Sequence, residues 1–290
     1  MLDQAAILRD LVREKKKLEF SEIKNKKARV ITISSGKGGV GKSNIVVNLA
    51  ILLRQKGLKV LVFDADVGMG NDDVLLGIYP KHNIYDVVLN GMNIIDVIED
   101  GPEGIKLLSG GSAVNKIEEF SDEQRDKFLK SLAMLEDYDY ILMDTGAGVS
   151  KTVLGLIAAC DELFIVTTPE PTSLTDAYSL MKASKHFNLK TESKIIINRS
   201  FSEKEARETY FKLKKVGEKF LNVKLDYLGF IFEDRKLVES VRQQIPVVIN
   251  YPSSDTAKCL RKIANSICKT NDKESNGFDG FFKKLFYIFS

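Results

Sequence analysis

Ten residues, Ser34-Ser35-Gly36-Lys37-Gly38-Gly39-Val40-Gly41-Lys42-Ser43, constrain what this chain can fold into more than any other stretch. They follow the apolar run RVITIS at once and lead into NIVVNLAILLRQKG, which reads as an amphipathic helix ended by Gly57. Glycines at this density let the backbone turn so that successive amide hydrogens point inward, and the helix N-terminus adds the positive end of its dipole. The product is a cradle for phosphate. Lys42 is placed to reach the β and γ phosphates and the Ser43 hydroxyl to bind Mg²⁺. A plain glycine-rich turn would need neither the strand before it nor the helix after it. The candidate nucleotide-binding residues are therefore Gly36, Lys37, Gly38, Gly39, Val40, Gly41, Lys42, Ser43 and Asn44.

Beyond this loop, short β-branched runs alternate with segments of helical length. Arg29 to Ser34, Lys59 to Asp64, Ile105 to Ser109, Tyr140 to Asp144, Leu163 to Thr168, Lys194 to Asn198 and Tyr227 to Phe232 read as buried strands. That order predicts a doubly wound α/β fold, a mainly parallel sheet with helices on both faces and ligands at the carboxyl ends of the strands. With 290 residues, 44% of them hydrophobic and 29% charged, one main domain with appendages is expected. No apolar run approaches the ~18 residues of a membrane span, and the first residues lack the apolar core of a secretory signal, so the chain reads as cytoplasmic.

Charge and cysteine usage narrow the function classes. Residues 1–29 carry nine Lys/Arg against five Asp/Glu, which leaves the body slightly negative and a poor general nucleic-acid binder. Cys160, Cys259 and Cys268 are too far apart for a C-x-x-C pair, and with only His82 and His186 besides, a transition-metal site is not expected.

The second lysine of the loop, Lys37, carries a family resemblance: Lys37-Gly-Gly-Val-Gly-Lys42-Ser43 resembles the deviant phosphate loop of the MinD/ParA branch of P-loop ATPases. The resemblance implies ATP and ADP as ligands, Mg²⁺ as the metal, and an ATP-dependent homodimer in which Lys37 reaches the phosphates held by the other subunit. It also implies slow, regulatory hydrolysis, with Lys37 and Lys42 stabilising transferred charge. The run Asp64-Ala-Asp66-Val-Gly-Met-Gly-Asn71-Asp72-Asp73 resembles switch I of that family, with Asp66 orienting the attacking water and Asp64 supporting Mg²⁺ through water. Tyr138 to Gly148 resembles a Walker B strand followed by switch II, with Asp144 as a metal carboxylate; relatives of the MinD type place proline where Gly146 stands. Asn198 and Arg199 match the adenine-recognition position, although a strand-end Asn is equally at home in a turn. Phe232 replaces the proline of the family's adenine loop.

Two appendages complete the reading. On a helix of about 100° per residue, Phe278, Phe281, Phe282, Leu285, Phe286, Ile288 and Phe289 share one arc, with Lys283 and Lys284 opposite. Such a helix suits the headgroup region of a bilayer, here the inner face of the cell membrane; the competing reading is a terminal helix docked on the core. At the other end Gln4, Ile7, Leu8 and Leu11 make a stripe suited to a partner groove or to the chain's own core. Asp3-Gln4-Ala5-Ala6-Ile7-Leu8-Arg9 resembles the D-Q-A-x-x-L-R segment of the FlhG family, flagellar regulators in which this segment stimulates FlhF, a GTPase of the signal-recognition-particle type. Asp3, Gln4, Ala5, Leu8 and Arg9 are the partner residues so implied, and Asp144 to Gly148 also looks like FlhG. The expected organisation is an activating segment and basic linker at 1–29, an ATPase domain at 30–269, and a linker with a membrane-targeting helix at 270–290. A MinD-type division-site ATPase and a ParA-type partition ATPase are the competing readings.

Overall fold

The computed structural model describes residues 27–66, 71–111, 119–135, 137–269, 275 and 277–289. From the first strand, β1 (Arg29–Ser35), the chain runs through α1 (Lys42–Arg54), β2 (Val60–Ala65), α2 (Asp72–Leu76), α3 (Ile84–Asn90), α4 (Ile94–Val97), β3 (Glu99–Asp100) and β4 (Lys106–Ser109). It continues through α5 (Asp122–Leu132), β5 (Tyr140–Ala147), α6 (Lys151–Ala159), β6 (Glu162–Thr167), α7 (Pro171–His186), β7 (Glu192–Ser200) and α8 (Glu203–Val216). The last elements are β8 (Lys224–Phe232), α9 (Arg235–Gln243), α10 (Val247–Asn250), α11 (Asp255–Lys269) and α12 (Gly277–Phe289).

The strands form one sheet in the order β3-β4-β2-β5-β1-β6-β7-β8. All seven expected strands are present and parallel; the two-residue β3, antiparallel to β4, is the strand the sequence pattern did not reveal. Alternate strand residues feed two cores, as the period of two requires. Phe63, Ile141, Met143, Ile165 and Ile197 face the layer that holds α6, α7, α8 and α12. Val62, Leu142, Phe164, Val166 and Ile196 face α1, α10 and α11.

Helix α1 is more enclosed than an amphipathic surface helix, with every residue from Ile45 to Leu53 buried. Its one polar member in that run, Asn48, is satisfied on both sides: Nδ2 donates to the Asn44 carbonyl at 2.7 Å and Oδ1 accepts from the Val248 amide at 3.1 Å. A helix apolar all round belongs inside, and α1 lies between the sheet and α11.

The expected basic linker, Arg13 to Arg29, ends sooner than its charge suggests. Arg29 is buried at the foot of β1, paired with Glu162 and donating to the Tyr140 hydroxyl at 3.0 Å and the Ile267 carbonyl at 3.2 Å. Lys194 meets the second oxygen of Glu162 at 2.7 Å. The body therefore begins by Arg29 rather than after it.

In this conformation the C-terminal helix takes the competing reading and is docked on the core. Phe278, Phe281, Phe282, Leu285 and Phe286 of α12 are all buried, so the aromatic face meets protein rather than lipid in this conformation. Phe282 makes edge contacts with Phe63 and Phe128 at centroid distances of 5.9 and 4.9 Å, and Phe286 reaches Phe120 at 6.5 Å. The reason is complementarity: α5, α6 and β2 leave an apolar trough that the phenylalanines fill, while Lys283, Lys284 and Tyr287 stay exposed. The Ser275 hydroxyl fixes the entry to α12, lying 2.5 Å from the Ala28 carbonyl and 2.6 Å from Asp161 Oδ2. No helix among the described residues is long and apolar enough to cross a membrane. The N-terminal segment containing Asp3, Gln4, Ala5, Leu8 and Arg9 lies outside the described residues, as do Val67 to Gly70.

Candidate nucleotide and magnesium site

The strand order brings the carboxyl ends of β2, β5, β1, β6 and β7 side by side, and all of them but β6 deliver a predicted residue or loop. Gly41 opens α1 with φ 93°, a left-handed conformation that favours glycine. A Cβ there would stand 2.4 Å from Asn198 Nδ2, because that amide donates to the Val40 carbonyl at 2.7 Å. Asn198 is thus a brace for the phosphate loop. One of its two amide hydrogens is committed to Val40, and its buried Oδ1 has no partner among the described residues. Gly36 packs directly on α7, where a Cβ would meet the Asp176 carbonyl at 2.0 Å.

Lys42 is buried, and its charge lies beside Asp144, which also accepts a hydrogen bond from the Ser43 hydroxyl. Asp64 and Asp144 are direct partners in the parallel β2–β5 ladder. Burial and the Asp144 charge push the Asp64 carboxyl up to about 7, against the pull of the Asp66 and Asp72 amides. Burial likewise lifts Asp144 to about 6, with Ser43 and Lys42 opposing. A third carboxylate, Asp72, completes this group. It is fully buried and raised well above the carboxylate range by burial and by its two neighbours. Asp72 was not singled out from sequence; an acidic residue in the first turn of a short helix looks like an ordinary dipole partner.

Asp66 lies at the mouth of this group, where its carboxylate would stand 3.2 Å from a Cβ on Gly146 of the second switch-like loop. The glycine standing in place of proline therefore leaves room for Asp66. The backbone of that loop is tied to the phosphate loop, since the Gly148 amide donates to the Ser35 carbonyl at 2.9 Å.

The oxygen-rich set fits Mg²⁺. Asp144 Oδ1 and both Asp72 oxygens have no hydrogen-bond partner among the described residues, and the Ser43 hydroxyl points to the same place. Among those residues no three His, Cys, Asp or Glu side chains form a closed ligand set. That pattern suits a cation held by few protein oxygens, with phosphate and water supplying the rest. Bound there, Mg²⁺ would neutralise charge on the phosphates, Ser43 and Asp144 being the residues that would hold it.

At the far side, Arg199 has φ 56° and pairs with Glu233 at 2.7 Å, a left-handed non-glycine residue of the kind that concentrates at ligand sites. Phe201, 81% exposed, stands between two clefts of about 360 and 590 Å³. Phe232 lines the larger cleft, edge-on to Phe230 at 4.9 Å. Lys37 does not turn into its own phosphate loop. Its ammonium bonds to Glu170 and to the Thr172 hydroxyl, at the start of α7.

Residues 26–268 match the ParA family described as NUBPL iron-transfer P-loop NTPase. The chain belongs to this MinD/ParA family of P-loop NTPases. It is 36% identical to the flagellum site-determining protein YlxH of Helicobacter pylori over 292 aligned residues, 98% of each chain. It is 34% identical to the antiactivator FleN of Pseudomonas aeruginosa, over 82% of this chain and 86% of that one. Among solved structures, the septum site-determining protein MinD of Pyrococcus horikoshii, complexed with Mg-ADP, superposes with a TM-score of 0.64 at 26% identity, covering 83% of this chain and 96% of that one. A doubly wound MinD/ParA-like α/β fold is what the sequence pattern predicts. The family description names iron transfer, but Cys160, Cys259 and Cys268 of this chain have no C-x-x-C spacing.

Proposed function

We propose that this chain is an ATP-dependent switch that regulates flagellar number or placement. The observation that carries the reading is similarity to a flagellum site-determining protein along 98% of the chain. FleN supports it from a second direction. In this reading ATP and Mg²⁺ occupy the phosphate loop, Ser43, Asp64 and Asp144 serve the metal, and Asp66 aligns water for slow hydrolysis to ADP and phosphate. Lys37 exchanges its exposed contact with Glu170 for the phosphates of a second copy, and so makes ATP the dimerising ligand.

The two ends of the chain supply the output. Residues 1–20 stimulate GTP hydrolysis by a signal-recognition-particle-type GTPase, FlhF, through Asp3, Gln4, Ala5, Leu8 and Arg9. Helix α12 leaves its trough in the ATP-bound dimer and lies on the cytoplasmic membrane surface through Phe278, Phe281, Phe282, Leu285, Phe286, Ile288 and Phe289, with Lys283 and Lys284 towards anionic lipid. One short helix binds weakly, and two on one dimer bind far better through effective concentration. A division-site role shares the ATPase but has no use for the N-terminal segment.

The deciding measurement is GTP turnover by such a GTPase in the presence of a peptide of residues 1–20, against the same peptide carrying Gln4→Ala. Stimulation by the first and not the second is expected. No stimulation by the intact peptide sinks the flagellar assignment and leaves the division-site reading.

A further inference from the structure

We propose that Asp72 is a metal-positioning residue. From the first turn of α2, its carboxylate would accept hydrogens from water bound to the site's Mg²⁺ and so tie the start of α2 to the metal. The inference rests on the Mg-nucleotide reading given above.

Asp72 and Asp73 are adjacent in sequence and opposite in placement. Asp73 is a local residue whose Oδ1 accepts from the Val74 amide at 2.7 Å. Asp72 is turned inward, 0% exposed, with neither oxygen partnered among the described residues. Its neighbours are the carboxylates of Asp64 and Asp144, the latter within hydrogen-bond reach, so that only a proton or a cation can join the two. A buried anion needs a counter-charge or hydrogen-bond donors, and three carboxylates together need them more. A capping role does not explain the arrangement, because Asn71 is the N-cap of α2 and Asp72 makes no bond to a helix amide. What remains is a site that expects donors from outside the protein. A hydrated cation would bring them: Ser43 and Asp144 would hold it, and its waters would supply hydrogens to Asp72. Direct ligation by Asp72 is not needed, which agrees with the lack of a closed set of ligating side chains among the described residues.

The same geometry links this residue to Asp66. Asp64 Oδ1 accepts from the Asp66 amide at 3.0 Å, and the Asp72 amide also turns to the Asp64 carboxylate. Asp66 and Asp72 thus meet on one strand-end aspartate.

The test uses the full chain and Mn²⁺ as the probe, read by electron paramagnetic resonance in the presence of ADP. ADP binding in EDTA and the thermal midpoint in EDTA are measured alongside. For Asp72→Asn, Mn²⁺ affinity of the ADP complex should fall about tenfold or more, as outer-shell substitutions do. ADP affinity in EDTA should stay unchanged, and the midpoint in EDTA should be equal or higher, since no hydrogen bond is lost. Asp73→Asn should leave all three readings unchanged. Unchanged Mn²⁺ affinity in Asp72→Asn overturns the proposal. A midpoint lowered in EDTA by both Asp72→Asn and Asp72→Ser marks a structural carboxylate and also overturns it. A parent chain that binds ADP but no Mn²⁺ removes the metal reading and the proposal together; one that binds neither removes the nucleotide reading itself.

Discussion

Lys37 Nζ lies 3.1 Å from Glu170 Oε2 and 3.0 Å from the Thr172 hydroxyl of its own chain. The pair is exposed, and exposed pairs contribute roughly 0–1 kcal/mol. Lys37 is therefore held ready and easily taken away. Lys37→Ala should abolish ATP-induced dimers in light scattering after gel filtration while leaving monomer binding of ADP intact. Glu170→Gln, which weakens the resting contact, should leave dimerisation intact. Dimers that persist in Lys37→Ala reject the cross-dimer role.

The aromatic trough gives the second prediction. Phe282 touches Phe63 and Phe128 and is almost wholly buried. Removing a buried phenylalanine side chain costs about 3–5 kcal/mol where the site cannot collapse. Phe282→Ala should lower the midpoint of urea unfolding by a corresponding amount, whereas Tyr287→Ala on the exposed side of α12 should change it little. A neutral Phe282→Ala would mean that α12 does not rest in the trough.

Ser275 offers a way to move the helix without emptying the core. Its hydroxyl reaches Asp161 and Ala28 at the entry to α12. Ser275→Asp sets a second carboxylate against Asp161, and like charges at that distance repel. On the proposed membrane reading, the variant should pellet with anionic liposomes without ATP, whereas the parent should require ATP. A chain ending at Asn276 should not pellet in either state.

Much of this was readable in the residues, and the failures share a cause. The strand ends are local patterns, so the residues alone place Gly36 to Ser43, Asp64, Asp144 and Asn198 on one edge of a parallel sheet. What the sequence withheld depends on long-range packing. Phe278 to Phe286 form an apolar face whether the partner is lipid or Phe63 and Phe128, and only the trough decides between them. Arg29 looks like the last member of a basic linker until Glu162, distant in sequence, is seen beside it. Asp72 reads as a helix-start acid because nothing local shows that its side chain turns inward.

The carboxylate group makes stability depend on pH in a defined direction. The folded state holds Asp64 at about 7 and Asp144 at about 6, each above the ordinary value of 3.8. The folded chain therefore binds more protons than the unfolded chain between those values, and stability falls as pH rises through that window. This contribution is fully present below the unfolded value and gone above about 7. In EDTA, the urea midpoint of the metal-free protein should drop from about pH 5 to about pH 7.5. Asp64→Asn should flatten the drop. A midpoint that rises over this range would contradict the buried carboxylate group.

Asn198 joins two duties that one substitution can separate. Its Nδ2 holds the Val40 carbonyl, and its Oδ1, without a partner among the described residues, is an acceptor for the adenine that the family resemblance assigns to this position. Adenine presents an exocyclic amine to such an acceptor, whereas guanine presents a carbonyl there, so the parent should bind ADP more tightly than GDP. Asn198→Ala strips both bonds and leaves a buried carbonyl unpaired, at a cost of about 1–3 kcal/mol. ADP affinity in calorimetry should fall about tenfold or more by that arithmetic, and the preference over GDP should shrink with it. Asn198→Asp keeps the acceptor but sets a carboxylate oxygen against the Val40 carbonyl, so it should lose phosphate-loop affinity for both nucleotides. Equal loss of ADP and GDP binding in Asn198→Ala, with the preference retained, would leave Asn198 as a brace for the loop and place base selection elsewhere, with Phe201 and Arg199 the next residues to test.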